Sequence, residues 1–124
     1  MKHRIFPALL ALALAHGAAL PARAQTAPYE EKILRLSELI GALHYLRNLC
    51  GETGNDWRVR MEDLLAAEKP EGERRKRFVA AFNRGYRSFA SVHTSCTPTS
   101  MEAIRLYMKE GEALSREIVV RYGG

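Results

Sequence analysis

Apolar residues recur along this chain at alternating steps of three and four, the spacing that places side chains on one face of an α-helix. The clearest stripe consists of Leu36, Leu39, Leu43, Leu46 and Cys50. It predicts a first helix over residues 29–49, and Gly51 directly after it is the residue type that most often ends a helix. Residues 25–28 are expected to form a flexible leader before it.

A second and a third helix follow from the same spacing. Asp56 suits the N-cap of a helix over residues 56–68, whose buried side includes Trp57, Met61, Leu64 and Leu65. Pro70 then interrupts the chain. A third helix is predicted over residues 73–95, with one stripe formed by Phe78, Phe82, Phe89, Val92 and Cys96.

A fourth helix is predicted over residues 98–121. Thr97 suits its N-cap, and Pro98 is favoured at a first helical position because its fixed backbone angle fits there. The residues expected to point inward are Met101, Ile104, Met108, Leu114, Ile118 and Tyr122. No segment of the mature chain shows convincing strand character.

The first 24 residues have a different pattern, which is typical of a secretory signal peptide. A short basic stretch, residues 1–4, precedes sixteen residues, 5–20, that contain no Asp, Glu, Lys or Arg. Ala22-Arg23-Ala24 then fits the small-x-small rule for signal peptidase. The apolar stretch is shorter than the roughly 20 residues of a membrane span. The sequence therefore predicts cleavage after Ala24, a periplasmic domain of residues 25–124, and no membrane span after cleavage.

The two cysteines of the chain, Cys50 and Cys96, fit an exported protein. In an oxidising compartment an even number of cysteines indicates disulfide bonding. Short connections also favour antiparallel neighbours, so the C-terminal ends of the first and third helices meet at one pole, where both cysteines lie. The sequence therefore predicts an all-α fold: a small antiparallel four-helix bundle with one interhelical disulfide.

Three glycines, Gly41, Gly85 and Gly111, fall inside predicted helices. Glycine in a helix interior costs roughly 1 kcal/mol relative to alanine. We expect close approach of neighbouring helices at these positions to offset that cost. A kink or a gap that receives a ligand is the alternative.

The charge of the mature chain argues against one class of function. Removal of residues 1–24 takes away Lys2, Arg4 and Arg23, so the net charge falls from +5 to +2. A nucleic-acid-binding domain has a strong basic excess gathered on one face. The mixed charges and the predicted compartment therefore indicate no nucleic-acid partner.

The sequence contains no recognisable catalytic motif. It lacks G-x-S-x-G, H-E-x-x-H, a P-loop and a dinucleotide fingerprint, so no catalytic residue, cofactor or enzymatic activity is predicted. His93, one turn before Cys96, leaves open a thiolate–imidazole metal site, but the disulfide is the favoured interpretation and no metal is predicted. Met101 and Met108, at helical spacing, are interpreted as core residues rather than copper ligands.

One dense basic run stands at the start of the third predicted helix. It consists of Arg74, Arg75, Lys76 and Arg77. Cations at a helix N-terminus oppose the helix dipole. The run is either a solvated face or a contact for an anionic envelope component such as phospholipid headgroups, lipopolysaccharide or an acidic partner protein.

The segment over residues 82–89 combines polar, small and aromatic side chains within two helical turns. Two residues of the first helix are placed where they face it. The possible members of the resulting site are Tyr45, Arg47, Asn83, Tyr86 and Arg87. The sequence predicts either a polar network that clamps two helices around Gly85 by hydrogen bonds, or a site for a ligand or partner.

Four stretches of the chain resemble those of a known family. They are residues 41–47 (GALHYLR) with Cys50, Trp57-Arg58 with Met61, residues 82–87 (FNRGYR) with Cys96, and Arg121-Tyr122. In order and spacing they resemble an uncharacterised family of small exported alphaproteobacterial proteins, over nearly all of residues 30–122. The resemblance implies a periplasmic helical protein with two cysteines and an unknown function, and it carries over no catalytic residue.

Two classes of function remain open. The first is a non-enzymatic periplasmic protein for protein interaction or envelope maintenance, whose partner is an unknown envelope protein or an anionic envelope component. The second is a small-ligand carrier with a pocket between helices. An apolar pocket of suitable size favours the carrier. A filled core with an exposed aromatic or basic patch favours the interaction protein.

Overall fold

The structure is a computed structural model that describes residues 22–123, with side chains from residue 27 onward. Its four α-helices are α1 (Ala22–Leu49), α2 (Asp56–Glu68), α3 (Gly72–Ala90) and α4 (Pro98–Tyr122). Residues 22–123 contain no strand. No helix in this range combines the length and the apolar character that a membrane crossing requires. The prediction of an all-α fold is confirmed.

Helix α1 is the centre of the bundle. It packs against each of the other three helices, whereas in the described range the backbone of α4 approaches neither α2 nor α3. Helix α3 runs parallel to α1, since Glu30 contacts Arg74 near the start of both helices. Helix α4 runs antiparallel to α1, since Lys32 contacts Glu117. These two directions agree with the predicted antiparallel bundle.

The core surrounds α1 and is built mainly from the first three helices. The buried apolar side chains are Ile33, Leu39, Ile40, Ala42, Leu43, Leu46, Trp57, Met61, Phe78 and Ala81. Helix α4 contributes half-buried side chains instead, among them Ile104, Tyr107 and Ile118. Because α4 packs mainly on α1, one narrow stripe of α4 is covered.

Helices α1 and α3 cross with their backbones in contact. A Cβ on Gly41 would lie 1.9 Å from the carbonyl oxygen of Phe82, and a Cβ on Gly85 would lie 2.0 Å from that of Glu38. One turn before each glycine lies another small buried residue, Ser37 on α1 and Ala81 on α3. Small residues spaced by four let two helices approach closely. The predicted close approach is present at Gly41 and Gly85.

The disulfide closes one pole of the bundle. Cys50 and Cys96 are bonded with an S–S distance of 2.07 Å, as predicted. Directly after Cys96, the Thr97 hydroxyl accepts a hydrogen bond from the backbone N–H of Ser100, and the Ser100 hydroxyl accepts one from that of Thr97. This reciprocal pair is a capping box. The bridge therefore ties the end of α1 to the start of α4.

A polar cluster closes the opposite pole. The Arg74 guanidinium lies 2.9 Å from a Glu68 carboxylate oxygen and 3.1 Å from a Glu30 carboxylate oxygen, and it covers the ring of Phe78. The Tyr29 hydroxyl donates a hydrogen bond to Glu68. Burial and the neighbouring Glu68 carboxylate raise the pKa of Tyr29 to about 12. The cluster joins α1, α2 and α3.

Two predicted helix boundaries are wrong. Helix α3 ends at Ala90 rather than Ser95, because residues 91–97 are rich in hydroxyl and β-branched side chains, which lower helix propensity, and precede Pro98. Helix α1 already includes residues 25–28, predicted as a flexible leader, because the alanines around them are strong helix formers. Residues 1–21, most of the predicted signal peptide, lie outside the described residues.

Several residues predicted to point inward are exposed instead, namely Val92, Met101, Met108 and Tyr122. Val92 is 72% exposed because it lies beyond the end of α3, on the linker to α4. Met101 is 62% exposed because no backbone of α2 or α3 lies beside α4 in the described structure.

Candidate functional site

An open apolar groove lies between α2 and α4. It has a volume of about 540 Å³, and α1 forms its floor. The floor consists of Leu36, Leu39, Ile40 and Leu43; the walls are Trp57, Arg60, Asp63 and Leu64 of α2, and Tyr107, Met108, Gly111, Glu112 and Ser115 of α4. The gap exists because α2 and α4 both pack on α1 without approaching each other. We call this the α2–α4 groove.

Trp57 gives the α2 wall its largest apolar surface. It is buried, and its indole Nε1–H finds no hydrogen-bond partner among the described residues. The Arg60 guanidinium lies over the indole ring, 4.7 Å from its centre. An unpaired buried N–H is unfavourable, so this wall holds a hydrogen-bond donor that the protein itself leaves unused.

Gly111 lines the α4 wall of the groove and departs from the other two helical glycines. A Cβ added there would meet a single neighbouring atom, the Leu39 Cδ1 at 3.9 Å, which is ordinary van der Waals contact. The expectation of close helix approach at Gly111 is therefore wrong. Gly111 instead lies beside a gap between helices, which was the alternative interpretation.

Replacing Gly111 with alanine is expected to stabilise the protein by up to about 1 kcal/mol, because alanine has the higher helix propensity and nothing obstructs its methyl group. Urea denaturation of the variant and the parent measures the change in the free energy of unfolding. A destabilised variant would show that this part of the groove is more crowded than described.

The apolar surface continues past the α2–α4 groove toward the disulfide pole. A smaller hollow of about 260 Å³ is lined by Arg47, Cys50, Glu52, Met101 and Ile104. Met101 and Met108 lie two turns apart on the same side of α4, and Met108 is 39% exposed. Their interpretation as core residues is thus wrong; they line the open side of α1.

A second groove, which we call the His44 groove, lies on the other side of α2. It has a volume of about 510 Å³ between α1, α2 and α3. Its lining includes Met61 and Leu65, and the ring of His44 lies within 6 Å of the rings of Phe82 and Tyr86, at centroid distances of 5.9 and 5.8 Å. Burial, followed by the nearby charge of Arg58, lowers the pKa of His44. The imidazole is therefore neutral at pH 7.

The residues of the predicted polar network lie in different parts of the structure. The Tyr45 hydroxyl donates to the backbone carbonyl of His93, and its ring meets Tyr86 edge to face. Arg47 pairs with Glu52 in the loop after α1. Asn83 lines the His44 groove. No single network joins these side chains.

Arg87 completes the set of five predicted residues. Together with Asn83 it lines a shallow surface depression on α3. Neither side chain forms a hydrogen bond with another residue of the described range. The α1–α3 crossing at Gly85 is thus held by backbone contact rather than by the predicted hydrogen bonds.

The basic run at residues 74–77 is divided among different partners. Arg74 belongs to the polar cluster with Glu30 and Glu68. Lys76 pairs with Glu73 at 3.0 Å, and Arg77 approaches Glu30 at 3.6 Å. Arg75, by contrast, lines the His44 groove and pairs with no carboxylate of the described residues.

The groups considered for a metal site are engaged elsewhere. Both cysteine sulfurs belong to the disulfide. His93 stacks on Phe89, and its Nδ1 lies 3.3 Å from the hydroxyl of Ser100. Within residues 22–123, no three side chains of His, Cys, Asp or Glu converge to hold a metal ion.

These features define a small disulfide-bonded helical protein with an open groove on each side of its second helix. Over residues 28–122 the chain matches the family described as "Protein of unknown function (DUF2385)", and it belongs to that family. No curated protein and no solved structure matches it. The resemblance to an uncharacterised family is confirmed.

Neither groove was predicted from the sequence. The α4 stripe of Met101, Ile104 and Met108 has the spacing of a core face. A signal was nevertheless available in Gly111, which interrupts that stripe. The gap in the bundle at Gly111 was considered as an alternative, and the structure favours it.

Proposed function

We propose that this protein is a non-enzymatic, exported binding protein that receives an apolar helix of a partner protein in its α2–α4 groove. The observation that carries the proposal is the groove itself: α2 and α4 flank α1 without meeting, and leave between them a groove with apolar side chains of α1 at its floor. An amphipathic helix that lays its apolar face into such a groove is a recurrent mode of recognition.

The length of α1 beneath the groove suits a helix. From Leu36 to Cys50, α1 rises by about 21 Å, or four helical turns. The α2–α4 groove and the hollow at Cys50 lie along this length. A partner helix bound there would pack against α2 on one side and against α4 on the other.

The side chains of the groove suit a protein partner. Met101 and Met108 have flexible, polarizable side chains, and such residues are frequent at surfaces that adapt to apolar partners. Asp63 and Arg60 supply a polar rim. An apolar centre with a polar rim is the usual anatomy of an interface.

Two further observations support a non-enzymatic role in the envelope. The groove lining includes two hydroxyls, those of Tyr107 and Ser115, and the Ser115 hydroxyl donates its hydrogen bond to the carbonyl of Gly111 rather than to a base. The disulfide and the N-terminal pattern that ends at Ala24 both suit an exported protein.

A small-ligand carrier is the second candidate. The groove volume of about 540 Å³ falls within the range of small-molecule sites, and most of its lining is apolar. The two candidates use the same groove, so they are distinguished by what occupies it in the cell.

Site-specific photocrosslinking tests the proposal. With p-benzoylphenylalanine at Asp63 or Met108, we expect a crosslink to one envelope protein. With the crosslinker at Glu73, exposed at the start of α3 and away from the groove, we expect none. Gly111→Leu, which fills the groove from α4, should abolish the crosslinks while the protein stays folded by circular dichroism.

Three outcomes contradict the proposal. Equal crosslinking from Glu73 would place the interface elsewhere. Crosslinks that persist in Gly111→Leu would show that the groove is not the binding site. A bound non-protein mass in native mass spectrometry, lost in Gly111→Leu and accompanied by no protein crosslink, would establish the carrier instead.

A further inference from the structure

The basic run leaves one arginine without a carboxylate partner, and that arginine lies in the His44 groove. Arg74, Lys76 and Arg77 each contact a glutamate, whereas Arg75 has no such contact with a described residue. Arg75 is also fully separate from the α2–α4 groove, whose lining comes from α1, α2 and α4. A site around Arg75 is therefore independent of the function proposed above.

A second guanidinium reaches the same groove from the opposite wall. Arg58 of α2 lines it, with Glu62 one turn away at 3.8 Å. Both partners of this ion pair are more than half exposed, and such exposed pairs are weak. The two arginines and one glutamate leave the groove with a net positive charge. A guanidinium presents paired donors that match a carboxylate.

The rest of the groove is apolar and partly aromatic. Along α3, Val79, Phe82 and Tyr86 follow Arg75 at helical spacing, and all line the groove. Tyr86 is 38% exposed, although one side of its ring lies against Tyr45 and His44. Asn83, on the same wall, adds an amide that forms no hydrogen bond within the described residues. The α3 wall of the groove thus presents an apolar surface with the guanidinium of Arg75 at one end.

We propose that the His44 groove binds a small aromatic carboxylate. Arg75, assisted by Arg58, holds the carboxylate, and Val79, Phe82 and Tyr86 contact the ring. The neutral imidazole of His44 forms part of the aromatic wall. The groove, at about 510 Å³, has ample room for a two-ring molecule.

Calorimetric titration of the disulfide-bonded protein tests this proposal with naphthalene-2-carboxylate as the probe. Its neutral counterpart, naphthalen-2-ylmethanol, should bind at least about tenfold more weakly, because it lacks the charge that the arginines recognise. Arg75→Gln should weaken binding of the carboxylate at least about tenfold and leave binding of the alcohol unchanged.

Two control variants locate the site. Arg116→Gln removes an exposed arginine on α4, which pairs with Glu112, and should leave the affinity unchanged. Gly111→Leu fills the α2–α4 groove and should also leave it unchanged. The proposal is overturned if the carboxylate does not bind at millimolar concentration, if the alcohol binds equally well, if Arg75→Gln has no effect, or if Gly111→Leu abolishes binding.

Discussion

Replacing Gly85 with alanine is expected to lower the melting midpoint by roughly 10–20 °C. The added Cβ would lie 2.0 Å from the backbone carbonyl oxygen of Glu38, so neither atom can move without separating α3 from α1. Overpacking typically costs about 1–3 kcal/mol, and a clash between two backbones belongs at the upper end of that range. At this chain length about 1 kcal/mol shifts the midpoint by roughly 4–8 °C. Thermal melts with the disulfide intact measure the effect.

The same substitution at the other helical glycines provides matched controls. Gly41→Ala places its Cβ 1.9 Å from the carbonyl oxygen of Phe82 and should destabilise to a similar extent. Gly111→Ala should change the stability in the opposite direction, for the reason given above. If Gly85→Ala and Gly111→Ala both stabilised the protein, helix propensity rather than the crossing would govern position 85.

Removing the disulfide with the double substitution Cys50→Ser and Cys96→Ser is expected to cost about 4 kcal/mol of unfolding free energy. The bridge joins residues 46 positions apart, and without it the unfolded chain gains the entropy of that open loop. For a domain whose total stability is about 5–15 kcal/mol, this is a large fraction. Urea denaturation of the variant against the oxidised parent measures the loss.

The loss of the bridge should also act locally on α4. This helix packs mainly on α1, and its start is tied to α1 by the disulfide. Segments with few buried contacts exchange their amide hydrogens fastest. In native-state hydrogen exchange, we expect the protection of α4 to fall more than that of α3. The reduced parent should match the double variant, and a loss below about 1 kcal/mol in both would contradict the entropic argument.

Most of the fold followed from signals that lie within a few residues of each other. Gly51 adopts a φ of +103° just beyond α1, where glycine was expected to end the helix. Thr97 and Pro98 stand at the predicted start of α4. The disulfide followed from two cysteines that predicted helix directions brought to one pole. Each of these inferences depends on local chemistry or on a single choice of topology.

The grooves depend on distances that local patterns do not contain. The stripe of Met101 and Met108 on α4 has the same spacing whether a neighbouring helix covers it or leaves it open. Likewise, whether a residue of the basic run is paired depends on residues distant in sequence. Arg74 is paired because α1 and the end of α2 place Glu30 and Glu68 beside it. The α1–α3 crossing could be predicted more readily from the sequence, because small residues recur there at a spacing of four: Ser37 and Gly41 on α1, and Ala81 and Gly85 on α3.

Pro28 lies inside α1, six residues after the helix begins at Ala22. Proline lacks a backbone N–H, so in the uncleaved chain the carbonyl of Ala24 has no donor four residues ahead. Cleavage after Ala24 would make Gln25 the first residue of the protein. Pro28 would then be one of the first four residues of the helix, whose N–H groups have no partner within the helix in any case. The processing that we propose would thus remove the one carbonyl that Pro28 leaves unpaired, and the missing donor would cost the mature helix nothing.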